Sequence, residues 1–192
     1  LIADEPTSAL DVTVQQQILD HLGSLTRELG TAVLLITHDL GLAAERAQRI
    51  IVMSQGRVVE SGPALEILQD PKHPYTKKLV AAAPSVAARR ADIHVAETPE
   101  AGPAGAASDH LIEVEHLTKS FEVKGDRPWR KKTFTAAEDI NFFLRRGHTL
   151  ALVGESGSGK STVAQMVLGL LAPSSGRVMF DGEDVTALDR RQ

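Results

Sequence analysis

The stretch Thr149-Leu150-Ala151-Leu152-Val153-Gly154-Glu155-Ser156-Gly157-Ser158-Gly159-Lys160-Ser161-Thr162 decides the fold. Five residues of strand-forming, mostly apolar character run straight into a loop of glycine and serine, and a helical pattern begins at Ser161. Strand, glycine loop and helix in that order form a phosphate cradle. Glycine permits backbone angles that turn successive amide N–H groups toward one point, and the helix N-terminus adds its positive dipole end there. Gly154, Glu155, Ser156, Gly157, Ser158, Gly159, Lys160, Ser161 and Thr162 are therefore the candidate nucleotide-binding residues. Lys160 is placed to reach the β- and γ-phosphates of ATP, the Ser161 hydroxyl to ligate Mg2+, and Thr162 to bond near the α-phosphate.

Working outward, residues 112–123 and 133–144 read as two strands separated by a basic, turn-prone insertion at 124–132. The helix after the loop is expected over 161–171, ended by Pro173 and Gly176, with a further strand at 177–180. Upstream, residues 85–110 are rich in Ala, Pro and Gly, a composition that buries too little apolar surface to offset ordering entropy, and they read as a flexible linker. Before that linker, apolar runs alternate with amphipathic stretches, as in α/β domains with a parallel sheet. Val14, Ile18, Leu22, Leu25 and Leu29 recur at helical spacing, and Gly30 follows as a stop. Residues 32–36 form a continuous apolar run suited to a strand buried on both faces, and 50–53 and 57–60 read as the arms of a hairpin.

Composition sets the outer limits. The chain has 192 residues, 42% of them hydrophobic, enough for a real core. Its 21 basic and 25 acidic residues give a net charge of −4 without a long single-sign block, so nucleic acid is not the expected partner. With no cysteine, neither a disulfide framework nor a thiolate metal site is available in this stretch. No apolar run approaches the roughly 20 residues that cross a bilayer. The chain opens inside an apolar strand without a methionine, and we read it as a fragment.

Two carboxylates, Asp4 and Glu5, directly follow that first strand. Adjacent carboxylates suit two tasks: Asp4 holding magnesium through water, Glu5 orienting or deprotonating the water that attacks the γ-phosphate. At the end of the next strand, Thr37-His38-Asp39 sets a histidine where it could contact a γ-phosphate.

Taken together, the run from Leu1 to Asp11 and the Thr37-His38-Asp39 element resemble the second half of an ATP-binding-cassette ATPase. Leu117-Thr118-Lys119-Ser120-Phe121, followed by the glycine loop, resembles the first half of another. The His73-Pro74-Tyr75-Thr76 element is similar to the C-terminal extension of oligopeptide and dipeptide importer ATPases and their nickel-importing relatives. The resemblance implies a P-loop α/β fold with an antiparallel β subdomain, incomplete here, divided as 1–84 (tail of one cassette), 85–110 (linker) and 111–192 (head of a second). It implies catalytic roles for Glu5 and His38, magnesium ligation by Asp4 and Ser161, a D-loop at Ser8 to Asp11, and stacking of adenine on Phe121, with Trp129 as a surface alternative.

As function, the resemblance implies an ATPase subunit that powers import of peptides, peripheral on the cytoplasmic face of the membrane. Its partners would be permease subunits, an extracytoplasmic solute-binding protein and a second cassette in the same chain or a dimer. A nickel or other solute importer of the same family, and a non-transport cassette ATPase, stay open. Cassette motifs occur here in reversed order, and neither a glutamine loop nor a Leu-Ser-Gly-Gly-Gln signature is present, so the isolated chain is not expected to hydrolyse ATP. In P-loop folds of this kind the glycine-loop strand lies between the histidine strand and the one after it. Residues 149–153 would then insert between 33–36 and 50–53, gathering Lys160, Asp4, Glu5 and His38 in one site.

Overall fold

The computed structural model describes residues 1–6, 12–83, 110–124 and 131–186. Sequence features at 8–11, within the linker and at 129 lie outside the described residues. Five strands form one sheet in the order β1 (Ile2–Asp4), β2 (Val33–Thr37), β7 (Thr149–Val153), β3 (Arg49–Ser54) and β4 (Arg57–Pro63). The first four run parallel and β4 returns antiparallel from β3. Strand β7, from the far end of the chain, thus fills the gap between β2 and β3, with Leu35 opposite Ala151 on one side and Ile51 opposite Leu152 on the other. The two halves share a sheet.

That insertion follows from burial. Central parallel strands are covered on both faces, so nearly every side chain must be apolar, as in Val33–Thr37 and Leu150–Val153. Period-2 alternation splits them between two cores. Leu34, Ile36, Met53, Leu150 and Leu152 face a core completed by Val114, Leu117, Ile140, Leu144, Val163 and Met166. Val33, Leu35, Ile50, Val52, Ala151 and Val153 face the opposite core. There they meet α2 (Leu40–Arg46), α3 (Ala64–Gln69) and α4 (Pro74–Ala82) through Leu40, Ala43, Ile67, Leu68 and Val80. Each fully buried Leu or Ile contributes about 1.5–3 kcal/mol, so leaving β7 out would expose both cores at once.

The second sheet has the order β6 (Lys131–Arg145), β5 (His110–Lys124), β8 (Ser175–Phe180), β9 (Glu183–Asp184), all antiparallel. It packs on the first through Val114, Leu117, Ile140 and Val178. Helix α1 (Val12–Leu29) has the bounds its apolar spacing sets. Helix α5 (Lys160–Val167) is shorter than the sequence pattern predicts. Gly169 adopts φ +69°, Gly169 N–H donates to Met166 O (3.0 Å) and Leu170 N–H to Gln165 O (2.9 Å). This paired closure ends the helix a turn before Pro173.

Candidate functional site

At the carboxyl ends of β1, β2 and β7 lies a cleft of about 860 Å³, lined by Glu5, His38, Phe134, Ala136, Glu155, Ser156, Gly157, Gly159, Lys160, Ser161 and Thr162. This is where ligands bind in open α/β sheets, and the volume is that of a small-molecule site. Residues far apart in sequence meet here because β7 sits between β2 and β3.

The glycine loop is built by close backbone contacts. Gly159 adopts φ +100°, and a Cβ there would lie 2.3 Å from Ala136 O. A Cβ on Gly154 would lie 2.3 Å from Met53 O. The loop is therefore wedged between β3 and β6. The β3–β4 turn completes the wedge: Gly56 N–H donates to Ser158 O (3.0 Å), and Gly56 O accepts from Glu138 N–H (2.7 Å). Lys160 is 5% exposed and its ammonium donates to Gly154 O and Glu155 O, each at 2.9 Å. Desolvation lowers its pKa below the ordinary lysine value, opposed by the charges of Glu5 and Asp4. Among the described residues Lys160 forms no ion pair. A buried cation held only by carbonyls, beside a glycine cradle, fits an anionic ligand.

Glu5 and His38 meet across the cleft, Oε2 to Nδ1 2.8 Å. Local structure aims both side chains. Glu5 takes a left-handed φ of +49°, and its N–H donates to Ile36 O (2.9 Å), extending the β1–β2 ladder by one step. Such a conformation is uncommon for a residue with a side chain and costs of order 1 kcal/mol. On the other side, the buried Thr37 accepts from Asp39 N–H (3.0 Å), and Asp39 Oδ1 accepts from Gly41 and Leu42 N–H (2.8 and 3.1 Å), capping α2. His38 is held between two anchored neighbours.

Of the other residues singled out from sequence, Asp4 ends β1, exposed, close enough to influence Lys160 electrostatically but not among the cleft-lining side chains. Gly154 and Ser158 lie behind the loop, Ser158 being buried. Phe121 stands directly across the β5–β6 ladder from Phe134, and Phe134 is the one that lines the cleft. Direct cross-strand partners share a face. The Lys119 ammonium sits 5.2 Å from the Phe121 ring centroid. Sequence reading missed Phe134, and it missed Tyr75, whose hydroxyl accepts from Glu155 N–H at 3.1 Å. Neither contact leaves a local pattern, since each depends on long-range packing.

A family model described as ABC transporter matches residues 137–192, and one described as Oligopeptide/dipeptide transporter, C-terminal region, matches residues 59–107. Across 98% of its length the chain is 40% identical to the glutathione import ATP-binding protein GsiA of Salmonella paratyphi A. Over nearly its whole length the chain is similar to ATP-binding proteins of ABC transporters. The Escherichia coli K12 protein of the same name is likewise 40% identical over 98% of this chain. The chain spans 32% of the length of these curated relatives. A solved structure of the ATP-binding cassette MJ0796, in a dimeric post-hydrolysis state with ADP and Pi, aligns over 42% of this chain and 32% of that one at 26% identity and a TM-score of 0.37. The fold is that of an incomplete ABC-type P-loop ATPase domain with an antiparallel β subdomain. ATP with Mg2+ is the family's cofactor pair. No helix among the described residues is long and apolar enough to cross a membrane.

Proposed function

We propose that the cleft binds the triphosphate of ATP with Mg2+ and that the protein carrying this chain couples ATP hydrolysis to import of peptide-like solutes. The observation that carries the first statement is the cleft itself, where the buried Lys160 ammonium, the glycine loop and the Glu5–His38 pair face one volume. Lys160 would exchange its two backbone carbonyl acceptors for phosphate oxygens, and Ser161 would hold the metal, with Asp4 beside it through water. Bound Mg2+ would supply charge neutralisation of the phosphates. Glu5 would orient or deprotonate water, with His38 fixing the carboxylate through the 2.8 Å contact. Phe134, with Phe121 behind it on the same face, offers an aromatic surface for the base.

The segments 1–84 and 111–192 we read as the tail of one cassette and the head of a second, joined by 85–110. Strand β7 takes, in this chain, the place between β2 and β3 that the first cassette's own glycine-loop strand would hold in a longer tandem. That longer protein would act at the cytoplasmic face of the membrane, with permease subunits and an extracytoplasmic solute-binding protein as its partners. The match at residues 59–107 and the glutathione importers at 40% identity support a peptide-like solute. Titration of the chain with a fluorescent ATP analogue and Mg2+ tests the site: saturable binding, strongly weakened in Lys160→Ala, is expected, and equal affinity of the variant would overturn it. Uptake of labelled glutathione and dipeptides by cells with and without the full-length gene tests the solute, and unchanged uptake would remove that assignment alone.

A further inference from the structure

We propose that Tyr75 is a positioning residue of the phosphate loop, through which the turn that starts α4 sets the loop's affinity for nucleotide. The proposal rests on the reading of the loop as a phosphate site. Its basis is one peptide group held from two sides. The peptide joining Gly154 to Glu155 presents its carbonyl to Lys160 Nζ (2.9 Å) and its N–H to the Tyr75 hydroxyl (3.1 Å). When Lys160 leaves for a phosphate, the tyrosine contact is what still fixes that peptide, at the point where β7 opens into the cradle. Binding sites gain affinity when the ordering cost is met before the ligand arrives.

Tyr75 is itself held by a chain of contacts running back to β4. The Glu60 carboxylate accepts from Lys72 N–H (2.7 Å) and His73 N–H (3.0 Å). Desolvation alone would push the Glu60 carboxyl up, but the hydrogen bonds from the Lys72 and His73 amides help hold the group below its ordinary value. His73 is the N-cap of α4, and its Nδ1 accepts from Tyr75 N–H at 3.2 Å. Pro74 occupies the first helical position, where its missing N–H removes no bond. The Tyr75 ring packs against the core under β2 and β3, and Thr76 is fully buried. Histidine caps, proline starts and tyrosine reaches: each residue of the His73-Pro74-Tyr75 turn has a task that ends at the glycine loop.

Tyr75→Phe keeps the ring and removes the acceptor. Loss of one net hydrogen bond corresponds to about a 3- to 10-fold weaker affinity for a fluorescent ATP analogue with Mg2+. Amide hydrogen exchange in the nucleotide-free chain should rise in the loop, residues 154–158, and stay unchanged in α4. Glu155→Pro removes the donor while leaving Tyr75 and α4 intact, and it should cause the same loss. Adding Tyr75→Phe to it should cost nothing further. Affinity and loop exchange unchanged in Tyr75→Phe, additive losses in the double variant, or a parallel rise of exchange throughout α4 would each overturn the proposal. If the unmodified chain fails to bind the analogue, the phosphate reading falls, and the exchange experiment still decides whether Tyr75 holds the loop.

Discussion

Two histidine–carboxylate pairs in this chain have nearly the same geometry and different surroundings. His38 meets Glu5 at 2.8 Å, and His116 meets Asp139 at 2.7 Å. In each, a carboxylate residue takes a left-handed backbone, φ +49° at Glu5 and +52° at Asp139. The first pair lines a cleft with a buried lysine and a glycine loop, and the second stands on the outer antiparallel sheet with side chains 80% and 67% exposed. In the first pair, on the function proposed above, strain and contact would serve a reacting position. In the second they follow from a bulge in the β5–β6 ladder, where Asn141 Oδ1 accepts from His116 N–H (2.8 Å). Pair geometry alone does not mark chemistry; what faces the pair does.

The largest effect should separate the two pairs. Glu5→Gln is expected to slow phosphate release by the full-length protein about 10²- to 10⁴-fold, the range of a general base, while leaving ATP affinity within a few-fold. His116→Ala should leave the rate unchanged. Equal losses in both would break the distinction drawn here.

Next in size, Lys160→Ala should weaken binding of the ATP analogue on the order of 100-fold, as loss of a buried charge-assisted contact predicts. Binding should also depend on pH. Burial lowers the Lys160 pKa, with Glu5 and Asp4 working against it. The phosphate contact needs the charged ammonium, so affinity should fall as pH rises, beginning below the ordinary lysine value near 10.4. In Glu5→Gln the fall should begin at still lower pH, because one supporting charge is gone. Stability runs the other way. The unfolded chain holds the proton that folded Lys160 has given up, so this group's contribution rises with pH across that window. Titration of analogue affinity against pH in both forms checks the order.

How much of this was legible in the sequence differs between these regions. The strand–loop–helix at 149–162 and the strand ends at Asp4-Glu5 and Thr37-His38-Asp39 carry their chemistry in adjacent residues, and the structure sets most of them round one cleft. The slot for β7 was legible through the resemblance to P-loop folds, in which the glycine-loop strand lies between the histidine strand and the next, and the apolar runs at 33–36 and 150–153 agree with strands covered on both faces. The Tyr75 hydroxyl at Glu155, the Gly56 turn under Ser158 and Phe134 in the cleft wall were not readable. Each depends on contacts across about 20 to 100 residues of sequence, for which periodicity has no signature. Helix α5 ends before the stop that Pro173 marks in the sequence, because the left-handed backbone of Gly169 closes it first.

The smallest expected effect concerns the outer pair. Asp139 lies below its ordinary pKa, first through its contact with His116 and next through Asn141. Because the folded value is depressed, whatever stability the group contributes is present above the unfolded value near 3.9 and is lost as pH falls through the folded one. Asp139 is exposed, so its attraction to His116 is screened, and exposed pairs of this kind are weak. Asp139→Asn should lower the melting temperature barely measurably at pH 7, and the difference should vanish in 1 M salt, where the screening length is about 3 Å. It should vanish also once the pH falls below the depressed folded value, where the carboxyl of the unmodified chain is itself protonated. A large loss that persists in high salt would mean that the left-handed bulge at Asp139 rests on its carboxylate, and the outer pair would then be as deliberately placed as the inner one.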